Sequence, residues 1–228
     1  MIAVIRFPGS NCDLDAVHAL GEVVGVPVEL VWHENFKPSR YGGVILPGGF
    51  SYGDHLRGGV IAAFSPAMEG VKEMAEQGKP VLGICNGFQT LLEAELLPGA
   101  LLKNEDLYFK CKWVNLKVES TESFFTKRMK AGSVFRIPIA HGEGRYFISD
   151  DGYRELEKNK QIVFRYVDDS GRPAEQSNPN GSFYNIAGIR NKGGNVLGMM
   201  PHPERASEAI LGGEGGKPIL EAFKSQGL

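Results

Sequence analysis

Residues 83–89 read GICNGFQ and place the thiol of Cys85 between Gly83 and Gly87. A strand-like run, residues 80–84, precedes the thiol, and residues 90–97, ended by Pro98-Gly99, follow as a helix. A cysteine at such a strand-to-helix turn is lifted clear of the sheet. Glycines two residues to either side tolerate a strained turn and let neighbouring backbone come close. The start of the helix points backbone N–H groups at the sulfur, which favours thiolate and therefore nucleophilic attack. The N–H of Asn86 is also placed to bind an oxyanion. The plainer reading of G-x-C-x-G is a buried structural cysteine beside close-packed glycines. Its position at the end of a strand favours the nucleophile.

A thiolate needs a base, and the chain has five histidines. His202, in GMMPHPER, stands where the apolar run 196–200 gives out. Pro201 and Pro203 restrict the backbone on either side and prevent helix. In an extended segment residues i and i+2 share a face, so Glu204 can approach the imidazole. A carboxylate there sets the tautomer and steadies the ring as it takes a proton. Alone, the same three residues describe an exposed turn with a solvated glutamate. His18 lies in the first helix and His33 follows the second strand; both read as surface or packing residues. His55 and His141 sit in glycine-rich loops that could face a pocket.

Two further stretches bear on the thiol. In LPGGFSYGD, residues 46–54, Gly48-Gly49 at a strand end exposes backbone N–H groups that no side chain blocks. Gly49 is the natural partner of Asn86 in an oxyanion hole, and a tight turn that needs positive φ is compatible with that. Cys12, in FPGSNCDLD, also stands between strand and helix, but Asp13 and Asp15 crowd it and oppose a thiolate. It reads as structural or substrate-adjacent, and Cys111 reads as packing at a strand edge.

The elements that must position these groups alternate in the first hundred residues. Strands are predicted at 2–5, 28–32, 43–46 and 80–84, with helices at 13–24, 67–77 and 90–97. Such alternation predicts an open, doubly wound, mostly parallel α/β sheet with ligands beyond the carboxyl ends of its strands. The second half is strand-rich, at 112–119, 134–140, 161–167, 186–190 and 196–200, with a hairpin turn at 191–194. It reads as antiparallel structure added to the same domain, so one domain is expected over 1–228. Residues 218–223 suit a short closing helix.

Bulk properties narrow the function classes. A hydrophobic fraction of 42% can supply a sizeable core. A formal net charge of -2 gives no basic field for nucleic acid. No apolar run is long enough to span a bilayer, and MIAVIRFPGSN has no signal-peptide pattern. Three widely spaced cysteines suit a reduced, cytoplasmic protein and offer neither a zinc pattern nor a disulfide framework. LGGEGGKP, residues 211–218, departs from a phosphate loop at both ends, with Leu211 for the first glycine and Pro218 for Ser or Thr. It reads as a mobile loop at an interface, and no nucleotide site or other cofactor is expected in this chain.

GICNGFQ, PHPE and LPGGFSYGD together resemble the class I (triad) glutamine amidotransferases, whose sheet is flavodoxin-like. FPGSNCD and AHGEGRY, residues 140–146, are similar to one branch of them: the glutaminase subunits of phosphoribosylformylglycinamidine synthase in purine biosynthesis. The resemblance runs over residues 7–205. It implies that Cys85 attacks the side-chain amide of glutamine, with His202 as base and then acid and Glu204 orienting it. It implies an oxyanion hole from Gly49 and Asn86 and a substrate contact from Gln89, a position that equally suits a plain helix residue. His141 and Gly142 match a loop that in relatives lies near the glutamine backbone. The implied partners are a large synthetase subunit, which binds ATP with Mg and formylglycinamide ribonucleotide, and in bacteria a small third subunit. Two other readings stay open: a cysteine hydrolase of related fold acting on γ-glutamyl or peptide bonds, and a non-catalytic regulatory subunit.

Overall fold

The computed structural model describes residues 1–226. Its strands are β1 (Ile2–Arg6), β2 (Val28–Trp32), β3 (Gly43–Leu46), β4 (Val81–Ile84), β5 (Ala100–Leu102), β6 (Lys110–Val118), β7 (Val134–His141), β8 (Arg145–Phe147), β9 (Ile162–Val167), β10 (Ile186–Arg190) and β11 (Val196–Met199). The α-helices are α1 (Asp13–His18), α2 (Val60–Ala63), α3 (Pro66–Glu76), α4 (Asn86–Glu93), α5 (Asp150–Lys158) and α6 (Lys217–Glu221). Among the described residues one sheet has the order β2-β1-β3-β4-β11-β10-β9-β6-β7, and β5 and β8 form a separate pair. No helix among them is long and apolar enough to cross a membrane.

The sheet has two characters, and the sequence pattern accounts for both. From β2 to β11 all pairings are parallel. Strands β3, β4 and β11 are buried along their whole length, as continuous apolar runs covered on both faces must be. From β11 to β7 the pairings are antiparallel. There β6 alternates buried and half-exposed residues toward its carboxyl end, as one covered face requires. The chain leaves β1 for β2 on one side and β3 on the other, so the carboxyl ends of β1 and β3 frame a topological switch point. The loops from β1 and β3, the turn after β4 and the segment after β11 all leave the sheet at that edge.

Several boundaries differ from the pattern read in the sequence. The helix after Cys85 begins at once, at Asn86, and stops at Glu93; Glu95 then takes φ +59° and residues 94–99 form turns. The first helix becomes π-helical over Ala19–Val24 before Gly25 ends it at φ +76°. α5 has no counterpart in that reading, although Ser149 caps it by accepting from Gly152 N at 3.2 Å and Asp150 and Asp151 fill its first turn. The glycine-rich segment 211–218 is folded onto the molecule. Gly212 rests on the Trp113 ring, and Gly216 donates to Ala206 O at 2.8 Å and lies against the Pro203 backbone. Its glycines permit close packing. Cys111 is exposed and does not pack; it lies on the first part of β6, which pairs with β7 but not with β9.

Candidate active site

Cys85 sits at the join of β4 and α4 with φ 50° and ψ −105°. A non-glycine residue held there carries strain on the order of 1–3 kcal/mol, sustained only if its surroundings fix it. They do. Cys85 N donates to Met199 O at 2.8 Å. A Cβ at Gly83 would lie 2.7 Å from Gly87 O and against Leu91, and one at Gly87 would overlap Leu46 O. The two glycines thus let α4 press onto β3 and β4 and hold the turn between them. Cys85 is buried, with Sγ 3.6 Å from Ala140 O.

Strand pairing brings the imidazole to the sulfur. β4 and β11 run parallel with Ile84 opposite Met199, so the chain leaves both strands at one level. His202 then stands beside the turn that carries Cys85, and its N–H donates to Pro138 O of β7 at 2.9 Å. Its Nδ1 lies 2.6 Å from Glu204 Oε1. The contact is the one expected of an extended segment, but the segment is not extended: Pro203 opens a short 3-10 helix, Pro203–Ala206, with His202 as its N-cap, because proline is well suited to the first helical position. His202 and Glu204 are fully enclosed, at 1% and 2% exposure. Nε2 and Glu204 Oε2 are buried without hydrogen-bond partners. Burial alone would lower the pKa of His202. The Glu204 charge, with the sulfurs of Cys85 and Cys12 close by, overrides it and holds the ring well above its ordinary value. The imidazolium is therefore favoured beside the thiol, and this ring can give a proton to a leaving group and take one back.

Gly48 is the point on which these groups converge. A Cβ built there would lie 2.8 Å from His202 Cε1, 3.2 Å from Cys12 Sγ and 3.4 Å from Cys85 Cβ. Cys12 is buried in the same cluster; its N–H donates to Gly48 O at 3.2 Å and its sulfur accepts from Arg205 Nη2 at 3.1 Å. Gly49 has φ +141°, and a Cβ there would meet Asn11 N at 2.7 Å. It lines a cavity of about 110 Å³ together with Cys85, Gln89, His141 and Gly142. A second cavity of about 260 Å³ shares the Cys85 and Gly49 walls and reaches Cys12, His202 and Arg205. Phe50 and Phe109, both about half exposed, border the two. A larger cavity, about 710 Å³, lies at the far end of α4 and has neither cysteine nor histidine in its lining, so size does not mark the site.

The remaining candidates fall as follows. The Gln89 amide is held at both ends, accepting from Asn86 Nδ2 at 2.8 Å and donating to Glu143 O at 2.8 Å. The Asn86 side chain also accepts from Ser51 N and donates to Asp54 Oδ1, both at 3.1 Å, and so ties the segment after β3 to α4. His141 is buried, with Nδ1 3.1 Å from Asn104 Oδ1 and Nε2 3.4 Å from Asn180 Nδ2. Desolvation, with the nearby His202 charge, drives its pKa down to about 3, so the ring is neutral and serves to pin its loop. His18 is exposed and meets Glu208 at 2.7 Å; His33 is buried against Ser65 Oγ at 2.8 Å; His55 is exposed. None of these three lines either cavity at Cys85.

Comparison with known proteins places the chain. A family model described as a CobB/CobQ-like glutamine amidotransferase domain matches residues 1–213. The phosphoribosylformylglycinamidine synthase subunit PurQ of Methanosarcina acetivorans is 54% identical over 97% of this chain and 96% of its own length. That of Moorella thermoacetica is 56% identical over 96% of this chain and 93% of its own. A chain in the structure of PurLQS from Thermotoga maritima superposes with a TM-score of 0.86 at 46% identity, covering 98% of this chain and 97% of that one. The chain belongs to the PurQ family of glutamine amidotransferases.

For a member of that family the site holds more than the sequence motifs assigned. Gly48, Cys12, Arg205, Asp54 and Glu143 all line the two cavities or lie against Cys85 and His202. The signal for Asp54 and Glu143 was present in GGFSYGD and HGEGRY, where each carboxylate stands inside a glycine-rich motif. Arg205 directly follows PHPE, and its side chain bridges Cys12 and Asp15, the latter at 3.1 Å. Cys12, His202 and Glu204 offer ligand atoms within 4.8 Å of one another. The Arg205 guanidinium on the Cys12 sulfur opposes a cation there.

Proposed function

We propose that this glutamine amidotransferase hydrolyses L-glutamine at Cys85 and passes the ammonia to a separate ATP-dependent synthetase that makes formylglycinamidine ribonucleotide in purine biosynthesis. The observation that carries the site is the enclosed Nδ1–Glu204 contact of 2.6 Å on an imidazole whose other nitrogen is unpartnered, beside a thiol on a strained turn. In this reading the thiolate of Cys85 attacks the γ-amide carbon. The oxyanion is met by the N–H groups of Gly49 and Asn86. His202 gives its proton to the departing nitrogen, which leaves as ammonia, and a thioester remains. Water then enters with His202 as base, releasing glutamate and regenerating the thiol. Gln89, His141 and Gly142 wall the pocket, the last two by shaping the loop.

The partner in this reading is a large synthetase subunit that uses ATP and Mg, joined by a small third subunit; that a similar chain stands in the structure of PurLQS from Thermotoga maritima supports an assembly of this kind. The chain itself needs no cofactor for amide hydrolysis, and it works in the cytoplasm. The test is labelling by a glutamine-like electrophile together with ammonia release. The wild type and Cys12→Ala are expected to be labelled at Cys85, and Cys85→Ala to be neither labelled nor active. A label on Cys12 would refute the assignment.

A further inference from the structure

We infer that Asp54 and Glu143 bind the α-ammonium group of L-glutamine and set the enzyme's demand for an amino acid amide. The inference rests on the glutaminase reading of Cys85 and adds to it the part of the pocket that no motif role explains. Both carboxylates line the cavity of about 110 Å³ that Cys85 and Gln89 also line. The cavity shares its Cys85, Gly49, Phe50, Phe109 and Ala140 walls with the adjoining one, which His202 borders with a buried Nε2 that lacks a nitrogen or oxygen partner, so a substrate seated at Cys85 spans both.

Each carboxylate is held by a neutral donor. Asp54 Oδ1 accepts from Asn86 Nδ2 at 3.1 Å, and Glu143 Oε2 accepts from Gly58 N at 3.1 Å. Among the described residues neither forms an ion pair. The nearby guanidinium of Arg57 is committed to Glu93 by two contacts of 2.6 Å. Two negative groups therefore face one small pocket with no protein cation to offset them. Burial first, and then the charge of Glu143, push Asp54 up to about 6, against the pull of Asn86. Such an arrangement is costly when empty and is relieved by a bound cation. Glutamine brings one. With its amide carbon at Cys85, its ammonium lies about 5 Å away by ordinary bond lengths, within a cavity of this size. Binding should lower the pKa of Asp54, so affinity should weaken as pH falls below about 6.

The competing explanation is that Asp54 and Glu143 only position Asn86 and the Gly58 backbone. Asp54→Asn and Glu143→Gln separate the two, because each retains an oxygen that can accept the same N–H. The complete synthetase complex is assayed with L-glutamine and with glutaric acid monoamide, which lacks the α-amine. The wild type is expected to prefer L-glutamine strongly. Each variant should lose that preference by about 10–100-fold, the loss of one charge-assisted hydrogen bond, mainly through a raised KM for L-glutamine. The rise in wild-type KM below pH 6 should vanish in Asp54→Asn. An unchanged preference, or equal losses on both substrates, would overturn the inference. Mass spectrometry of the trapped acyl-enzyme tells the two failures apart. If the wild type is acylated at Cys85 yet the preference does not move, only this inference falls; acylation elsewhere overturns the site reading with it.

Discussion

At the scale of single residues the decisive contact is between His202 and Glu204. A buried carboxylate 2.6 Å from Nδ1 keeps the imidazolium form available at pH values where a free histidine is neutral. The attraction is fully present below the unfolded pKa and is lost as pH rises through the folded one. Glu204→Gln removes the negative charge and must lower the pKa of His202. The alkaline limb of the pH profile of kcat/KM is therefore expected to move to lower pH, by about one unit or more, with weaker but measurable activity. His202→Asn leaves no proton carrier and should lose about 10²–10⁴-fold. An alkaline limb that stays in place in Glu204→Gln would separate Glu204 from the histidine's proton. Gly48 belongs to the same scale. A methyl at that position would crowd His202 Cε1, Cys12 and Cys85 at once, so Gly48→Ala should cut glutaminase activity more than it cuts stability.

At the scale of elements, the site exists because β4 and β11 end side by side and α4 is pressed onto them. Gly83→Ala tests this. Its methyl would meet Leu91 and the Gly87 carbonyl, and the overpacking should cost about 1–3 kcal/mol in denaturant unfolding, with loss of Cys85 labelling as the turn shifts. Much of this arrangement could be read from the chain. The apolar runs that became β1 to β4, the flanked thiol and the prolines around His202 each carry a local signal. What could not be read was contact across the fold. Cys12 and Arg205 are separated by almost the whole chain, and only parallel pairing in a particular strand order brings the β1 loop beside the segment after β11. The start of α4 was also hidden, because Asn86 and Gly87 are poor helix residues that the tertiary packing overrides. His141 is a similar case. In the sequence it is a histidine in a glycine-rich loop; in the fold its ring is enclosed between Asn104 and Asn180 and kept neutral. Because its folded pKa is depressed to about 3, the native state should lose stability as pH falls below about 6.5, at up to about 1.4 kcal/mol per unit. Urea titrations from pH 7 to 4 on the wild type and His141→Gln would measure it, with the shallower slope in the variant.

At the scale of the whole molecule the chain is equipped for one half of a synthesis. Cys85, His202 and glycine-rich backbone gather at one edge of the sheet, and in the proposed roles they suffice to cleave an amide. The segment that most resembles a phosphate loop is instead folded against Trp113 and Pro203, where its glycines serve contact with the protein's own backbone. On the proposed function, activation of the acceptor by ATP is left to the partner, and the two halves should then be separable by chemistry. The assembled complex carrying Cys85→Ala is expected to make no product from glutamine and to make it normally when supplied with an ammonium salt. The rate should rise with pH, because free ammonia is the attacking species and its fraction grows as ammonium loses its proton. Cys85→Ala is the right variant, since the side chain is small, buried and not in a disulfide, so the fold and the assembly should survive its removal. Product formation measured with both nitrogen sources, alongside a check that the complex still forms, decides the matter. A complex that assembles but fails with ammonium as well would mean that this chain takes part in the synthetase step itself.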